Sequence, residues 1–167
     1  MLLIERFVVG VVLMWAMSAY GQDLQKEIND QVWKPFISSF NSFDTQEFMA
    51  VHSRDVVRSP RDAKILQSWD EYFKQQQAGD KRHKESGGSR SIELRFTERI
   101  ANAKQAIDVG IYKTTSTGKD GKSASFYGRF HVVLRKEGSV WKILVDTDSS
   151  EGNTIREKDF LAARPLE

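Results

Sequence analysis

The hydrophobic pattern of the chain changes its period once. From Asp23 to Asn41 apolar residues recur at every fourth position, at Leu24, Ile28, Val32, Phe36 and Phe40, with Trp33 and Ile37 filling the same stripe. That spacing predicts an amphipathic helix with one buried face. Pro35 lies inside it. A proline removes a backbone donor and clashes with the preceding turn, so the helix is expected to kink or restart near Trp33–Lys34. Asp44 with Glu47 forms a capping box, and Phe43 and Phe48 stand where a hydrophobic staple would, predicting a short second helix from Thr45 to His52. Asp55 to Ser59 reads as a short strand stopped by Pro60. Ser68 and Glu71 form another capping box and open a third helix over Trp69, Tyr72 and Phe73, with Gly79 as its expected stop. The stretch Gly79 to Ser91 has no apolar periodicity and reads as a solvated loop, its KRHK run a wet surface.

From Ser91 onward the period is two. Ile92, Leu94 and Phe96 alternate with Glu93, Arg95 and Thr97, and Ile107, Val109 and Ile111 alternate with Asp108, Gly110 and Tyr112. Phe126 to Lys136 and Val140 to Asp148 are two further alternating runs, with turn signals at Lys119–Lys122 and at Glu137–Gly138. Helices followed by a run of hairpin-linked strands predict the α+β class.

The N-terminus modifies this picture. Arg6 precedes the apolar run Phe7 to Met17, which ends at Ser18-Ala19-Tyr20-Gly21. The run is too short to span a bilayer and matches a secretory signal with cleavage before Gln22. Residues 1–21 are therefore expected to be a signal peptide and 22–167 one exported domain, periplasmic or secreted, with no stable membrane anchor after cleavage. The chain contains no cysteine, which excludes disulfides, a lipoprotein anchor and a thiol nucleophile. A net charge of +2 gives no reason to expect a nucleic-acid partner. The three histidines, His52, His83 and His131, lack metal-ligand spacing, and Gly121-Lys122-Ser123 lacks the first glycine of a phosphate loop, where Ser116 stands. Neither a metal nor a cofactor is expected.

The segments VWKPFISSFNSFDTQEFMAVHSRDVVRSP (Val32 to Pro60) and YGRFHVVLRKEGSVWKILVDTDSS (Tyr127 to Ser150) resemble the nuclear transport factor 2-like superfamily, which includes ketosteroid isomerase and polyketide-cyclase-like proteins. The resemblance spans essentially the whole of residues 22–167. It implies a kinked N-terminal helix and two short helices packed in a strongly curved, mostly antiparallel sheet, a cone-shaped barrel with a pocket, and a homodimer formed through the sheet. It does not imply one chemistry, because the fold hosts many. The isomerase's oxyanion tyrosine falls at Phe36, its base at Ser59–Pro60 and its further aspartic acid at His131, so isomerase activity is rejected.

Candidate chemistry gathers on the last hairpin. With Glu137-Gly138 as a two-residue turn, Leu134 faces Trp141, Val132 faces Ile143 and Phe130 faces Val145 on an apolar face. On the polar face Arg129 opposes Asp146, Tyr127 opposes Asp148 and His131 opposes Leu144. The polar face is either the pocket wall or open to water. The match of His131 to a pocket position of the family favours the pocket. His52 and Arg58 form a second group, and Arg95, Asp108 and Tyr112 fall on polar strand faces that would border the same cavity. Trp33, Phe36 and Tyr72 would line its apolar part. The leading expectation is a non-catalytic pocket protein for a small, partly apolar molecule, anionic if Arg58, Arg129 and His131 meet it. The alternatives are a lyase or cyclase with His131 as general base, oriented by Asp146 or Asp148, and a homodimeric interaction module.

Overall fold

The computed structural model describes residues 21 and 23–167. Residues 1–20 and Gln22, on which the expected signal peptide and its cleavage point rest, lie outside the described residues.

Helical residues 23–28 pass into a π-helical turn, Asn29–Trp33, and then into α1, Lys34–Ser42. Pro35 explains the turn. It cannot donate a backbone hydrogen bond, and the wide turn ahead of it takes up the misfit, closed by the Lys34 N–H on the Asn29 carbonyl. The restart therefore falls where the proline predicts it. Two further helices follow, α2 over Thr45–Ala50 and α3 over Trp69–Ser86. The Asp44 side chain accepts from the Glu47 amide, and Ser68 and Glu71 complete the expected capping box. Two boundaries differ from expectation. His52 begins a strand instead of ending α2. Gly79 does not end α3, which runs on through the KRHK segment to Gly87 in the left-handed conformation. A mid-helix glycine costs only about 1 kcal/mol relative to alanine. Here it is outweighed by buried Asp80, which accepts from Thr45, Gln76 and Arg90, and by His83 stacked on Phe43.

The strands are β1 (His52–Pro60), β2 (Ser89–Ala101), β3 (Gln105–Thr117), β4 (Ser123–Glu137), β5 (Val140–Ser149) and the two-residue β6 (Arg164–Pro165), which follows the short helix α4 (Glu157–Ala162). They form one six-stranded curved sheet in the order β1-β5-β4-β3-β2-β6, antiparallel except where β1 runs parallel to β5. Ile28, Val32 and Trp33 of the N-terminal helical stretch pack against Leu94, Phe96, Phe130, Val132, Leu134, Trp141 and Ile143 of the sheet's concave face. Gly110 lets the Phe130 ring lie flat on β3. A Cβ there would stand 2.5 Å from that ring.

The register of the last hairpin is not the expected one. Glu137 pairs with Val140, so the turn is Gly138–Ser139, with Gly138 at φ +63°. Leu134 then pairs with Ile143, but Val133 pairs with Val145, leaving Leu144 as an extra residue. Such a bulge reverses which side chains face inward. Val132 therefore opposes Asp146, Phe130 opposes Asp148, His131 opposes Thr147 and Arg129 opposes Ser149. A second bulge, at Thr97 of β2, does the same for Arg99, which pairs with Asp108. On β3 it is the polar positions Asp108 and Tyr112 that turn inward. Asp108 is fully buried, while Ile107 points away from the helices and is exposed.

Candidate functional site

Between α3 and the concave face lies a cavity of about 400 Å³. Its walls are largely apolar: Trp33, Phe36, Phe40 and Phe48 from the helices, and Ile92, Leu94, Phe130, Val132 and Ile143 from the sheet. Gln75, Gln76, Gly79 and Arg82 of α3 border it, and Tyr112 and Thr114 of β3 form one side. This composition and size are those of small-molecule sites, which are mainly apolar with a few convergent polar groups.

The polar groups converge at one end, where Arg58, Tyr72, Asp146 and Asp148 all line the cavity. Arg58 reaches inward from β1, held at its backbone by two hydrogen bonds with Gln67. Its Nη2 donates to Asp148 Oδ2 at 2.7 Å, and its Nη1 lies 3.5 Å from Asp146 Oδ1 and donates to the Asp146 carbonyl at 3.3 Å. The Tyr72 hydroxyl donates to Asp146 Oδ2 at 3.0 Å. Behind them His52, whose side chain has no exposure, directs Nδ1 at the Phe48 carbonyl, 2.9 Å away. Its Nε2 stands 3.6 Å from Asp146 Oδ2 and has no hydrogen-bond partner among the described residues, nor does Arg58 Nε.

Burial and charge act against each other here. Burial alone would raise the Asp146 carboxyl; the charge of Arg58, the nearness of His52 and the bond from Tyr72 outweigh it and hold the group at about 2. For Asp148 burial wins. Its carboxyl is raised above the ordinary range, with Arg58 only partly opposing and Asp146 adding to the rise. Burial, then the carboxylates beside them, push Tyr72 well up and Tyr112 up to about 12, so both hydroxyls remain protonated donors near neutrality. Gly128 makes room for Tyr112, whose hydroxyl lies 2.3 Å from where a Cβ would stand.

Of the residues singled out from the sequence, the structure brings Trp33, Phe36, Arg58, Tyr72, Tyr112, Asp146 and Asp148 to the cavity, with His52 directly behind. It takes the others elsewhere. His131 is exposed, and Arg129 shares its side of β4, the side turned away from Phe130 and Val132. A His131 general base oriented by Asp146 or Asp148 is therefore not present, because the bulge at Leu144 puts those carboxylates on the opposite face of the sheet. Tyr127 packs on Phe160, and Arg95 donates to the Leu161 and Ala163 carbonyls. Asp108 faces inward but lies under Trp33, which donates to it at 2.7 Å, and it accepts from Nε and Nη2 of Arg99. Phe48, Val132 and Ile143 are cavity residues missed by the sequence reading. The apolar side of the hairpin is the cavity side, where the sequence favours the polar side as the pocket wall.

No protein family matches the sequence, and no curated protein is recognisably similar to it in sequence. Similarity appears at the level of structure. Aln2 from a Streptomyces species superposes with a TM-score of 0.67 over 78% of this chain and 93% of its own, at 11% identity. An NTF2-like protein with a cystatin-like fold from Novosphingobium aromaticivorans gives 0.66 over 81% and 86%, at 9% identity. A candidate dehydratase of the NTF2-like family from Streptomyces avermitilis gives 0.60 over 76% and 96%, at 14% identity. The α+β cone implied by the sequence resemblance is the architecture observed, and the chain has the nuclear transport factor 2-like fold.

Proposed function

We propose that this protein binds a small, largely apolar molecule in the cavity, oriented by the cluster at its polar end. The observation that carries the reading is the combination of a 400 Å³ apolar cavity with one convergent group, Arg58, Asp146, Asp148 and Tyr72. The anionic option loses its receptor, since Arg129 and His131 lie on the other face and Arg58 already serves two carboxylates. The apolar segment Phe7 to Met17 supports export of the protein, so the molecule would be met outside the cytoplasm.

Native mass spectrometry of the chain purified gently from its own host tests this directly. A reproducible added mass is expected, lost on filling the cavity with Val132→Trp and kept in Ile107→Thr on the convex face. Equal retention of that mass in both variants would overturn the reading.

A second reading, acid–base chemistry on the bound molecule, is favoured by Asp148, whose carboxyl is raised and only partly engaged. The candidate dehydratase among the structural neighbours is consistent with it. Asp148→Asn would then abolish turnover while leaving binding of an uncharged ligand intact.

A further inference from the structure

The polar end of the cavity holds more negative than positive charge. Arg58 stands between Asp146 and Asp148, so a single guanidinium faces two carboxylates. Both oxygens of Asp146 are engaged, Oδ1 beside Arg58 and Oδ2 by Tyr72. Asp148 differs. Its Oδ2 receives Arg58, no donor among the described residues reaches its Oδ1, and its side chain is 30% exposed toward the cavity. The fully buried His52 points an unpartnered nitrogen at the same cluster, so the protein's own groups do not complete it. Tyr72 and Tyr112 are neutral and bring no countercharge. The remaining cation bordering the cavity, Arg82, is exposed. Its guanidinium lies beside Gly79, about two turns of α3 beyond Tyr72, roughly 10 Å along the axis, where salt already screens an exposed charge strongly.

A free carboxylate oxygen at the end of an apolar chamber is a receptor for a hydrogen-bond donor, and best for a positively charged one. We propose that the cavity takes an amphipathic amine, its ammonium seated on Asp148 and its apolar body against Phe36, Phe48 and Val132. This rests on the pocket reading above and adds the charge of the occupant. The walls accept an aryl or alkyl body without demanding one, and the seat rejects a carboxylate of the same size by like-charge repulsion.

Calorimetric titration of the full chain at pH 7 separates the possibilities with three probes of matched size: 2-phenylethylamine, 2-phenylethanol and phenylacetate. A charge-assisted hydrogen bond is about twice as strong as a neutral one, so the amine should bind about tenfold more tightly than the alcohol. Phenylacetate should bind most weakly. Asp148→Asn should remove the amine's advantage, so that amine and alcohol bind that variant equally, and Asp148→Glu should retain the preference. Far-ultraviolet circular dichroism of both variants confirms the fold. Phenylacetate binding as tightly as the amine, or an amine preference that survives Asp148→Asn, overturns the proposal while the pocket reading stands. Failure of all three probes overturns both.

Discussion

Two buried arginine–carboxylate clusters stand on the same sheet, and they are built to opposite ends. On β2 and β3, Asp108 is fully buried and takes two hydrogen bonds from Arg99 and one from Trp33, while the Arg99 guanidinium is 4.1 Å above the Phe96 ring. On β1 and β5, Arg58 shares itself between Asp146 and Asp148, and His52 Nε2 and Arg58 Nε remain without partners among the described residues. Both clusters depend on a bulge that turns a charged side chain inward, Thr97 for Arg99 and Leu144 for Asp146. The first is closed and ties the N-terminal helix to the sheet. The second opens on the cavity. A buried charged group is costly unless its hydrogen-bonding capacity is filled, so the incomplete cluster is the one whose remaining capacity a ligand would fill.

The contrast can be broken by substitution. Asp108→Asn strands Arg99 in a closed site and is expected to cost about 3–5 kcal/mol, read by urea denaturation. Asp146→Asn removes the carboxylate that Arg58 and Tyr72 share, but Arg58 keeps its bond to Asp148, so a smaller loss of about 2 kcal/mol is expected. The acid limb of stability gives a related quantity. Asp146 titrates at about 2 in the folded protein, below its ordinary 3.8. Its stabilisation is therefore complete above the ordinary value and lost as the pH falls through the folded one. About 2 kcal/mol should disappear between roughly pH 4 and 2, and Asp146→Asn should flatten that limb. Asp148 has the reverse sign. Its carboxyl is raised, so its contribution is present at low pH and lost as the pH rises through the raised value. Asp148→Asn should thus match or exceed the parent at pH 7, with the gap closing as the pH falls. A loss at pH 7 as large as that of Asp108→Asn would erase the distinction between the two clusters.

Local signals were readable because their physics is local. The cap residues Asp44, Ser68 and Glu71, the proline-induced restart and the two hairpins each depend on a few neighbouring residues; their order predicts the α+β class, and the cone is what the family resemblance implies. The site was half readable for the opposite reason. Asp146 and Asp148 were singled out with the wrong partners, because a turn displaced to Gly138–Ser139 and one extra residue at Leu144 exchange inside for outside along β5. Neither leaves a mark on the alternation of apolar and polar residues. The sequence places Asp108 at the border of the cavity; it does face inward, but only the distant Trp33 and Arg99 reveal that it is sealed within the core. The extension of α3 past Gly79 likewise depended on Arg90 and Thr45, which lie outside the helix in sequence.

The π-helical turn at Asn29–Trp33 has a consequence for the phase of the N-terminal stripe. A side chain repeated every fourth residue gains about 40° per step on an ideal helix of 3.6 residues per turn. The stripe from Leu24 through Ile28, Val32 and Phe36 to Phe40 would therefore wind away from the sheet. A turn that holds more residues advances less per residue and takes back part of that drift. The wide turn acts as a vernier, aligning Phe36 and Phe40 with the cavity while Leu24 and Ile28 remain over the core. One residue inserted between Phe36 and Phe40, where no wide turn absorbs it, would instead swing Phe40 about 100° around the axis and out of the chamber wall.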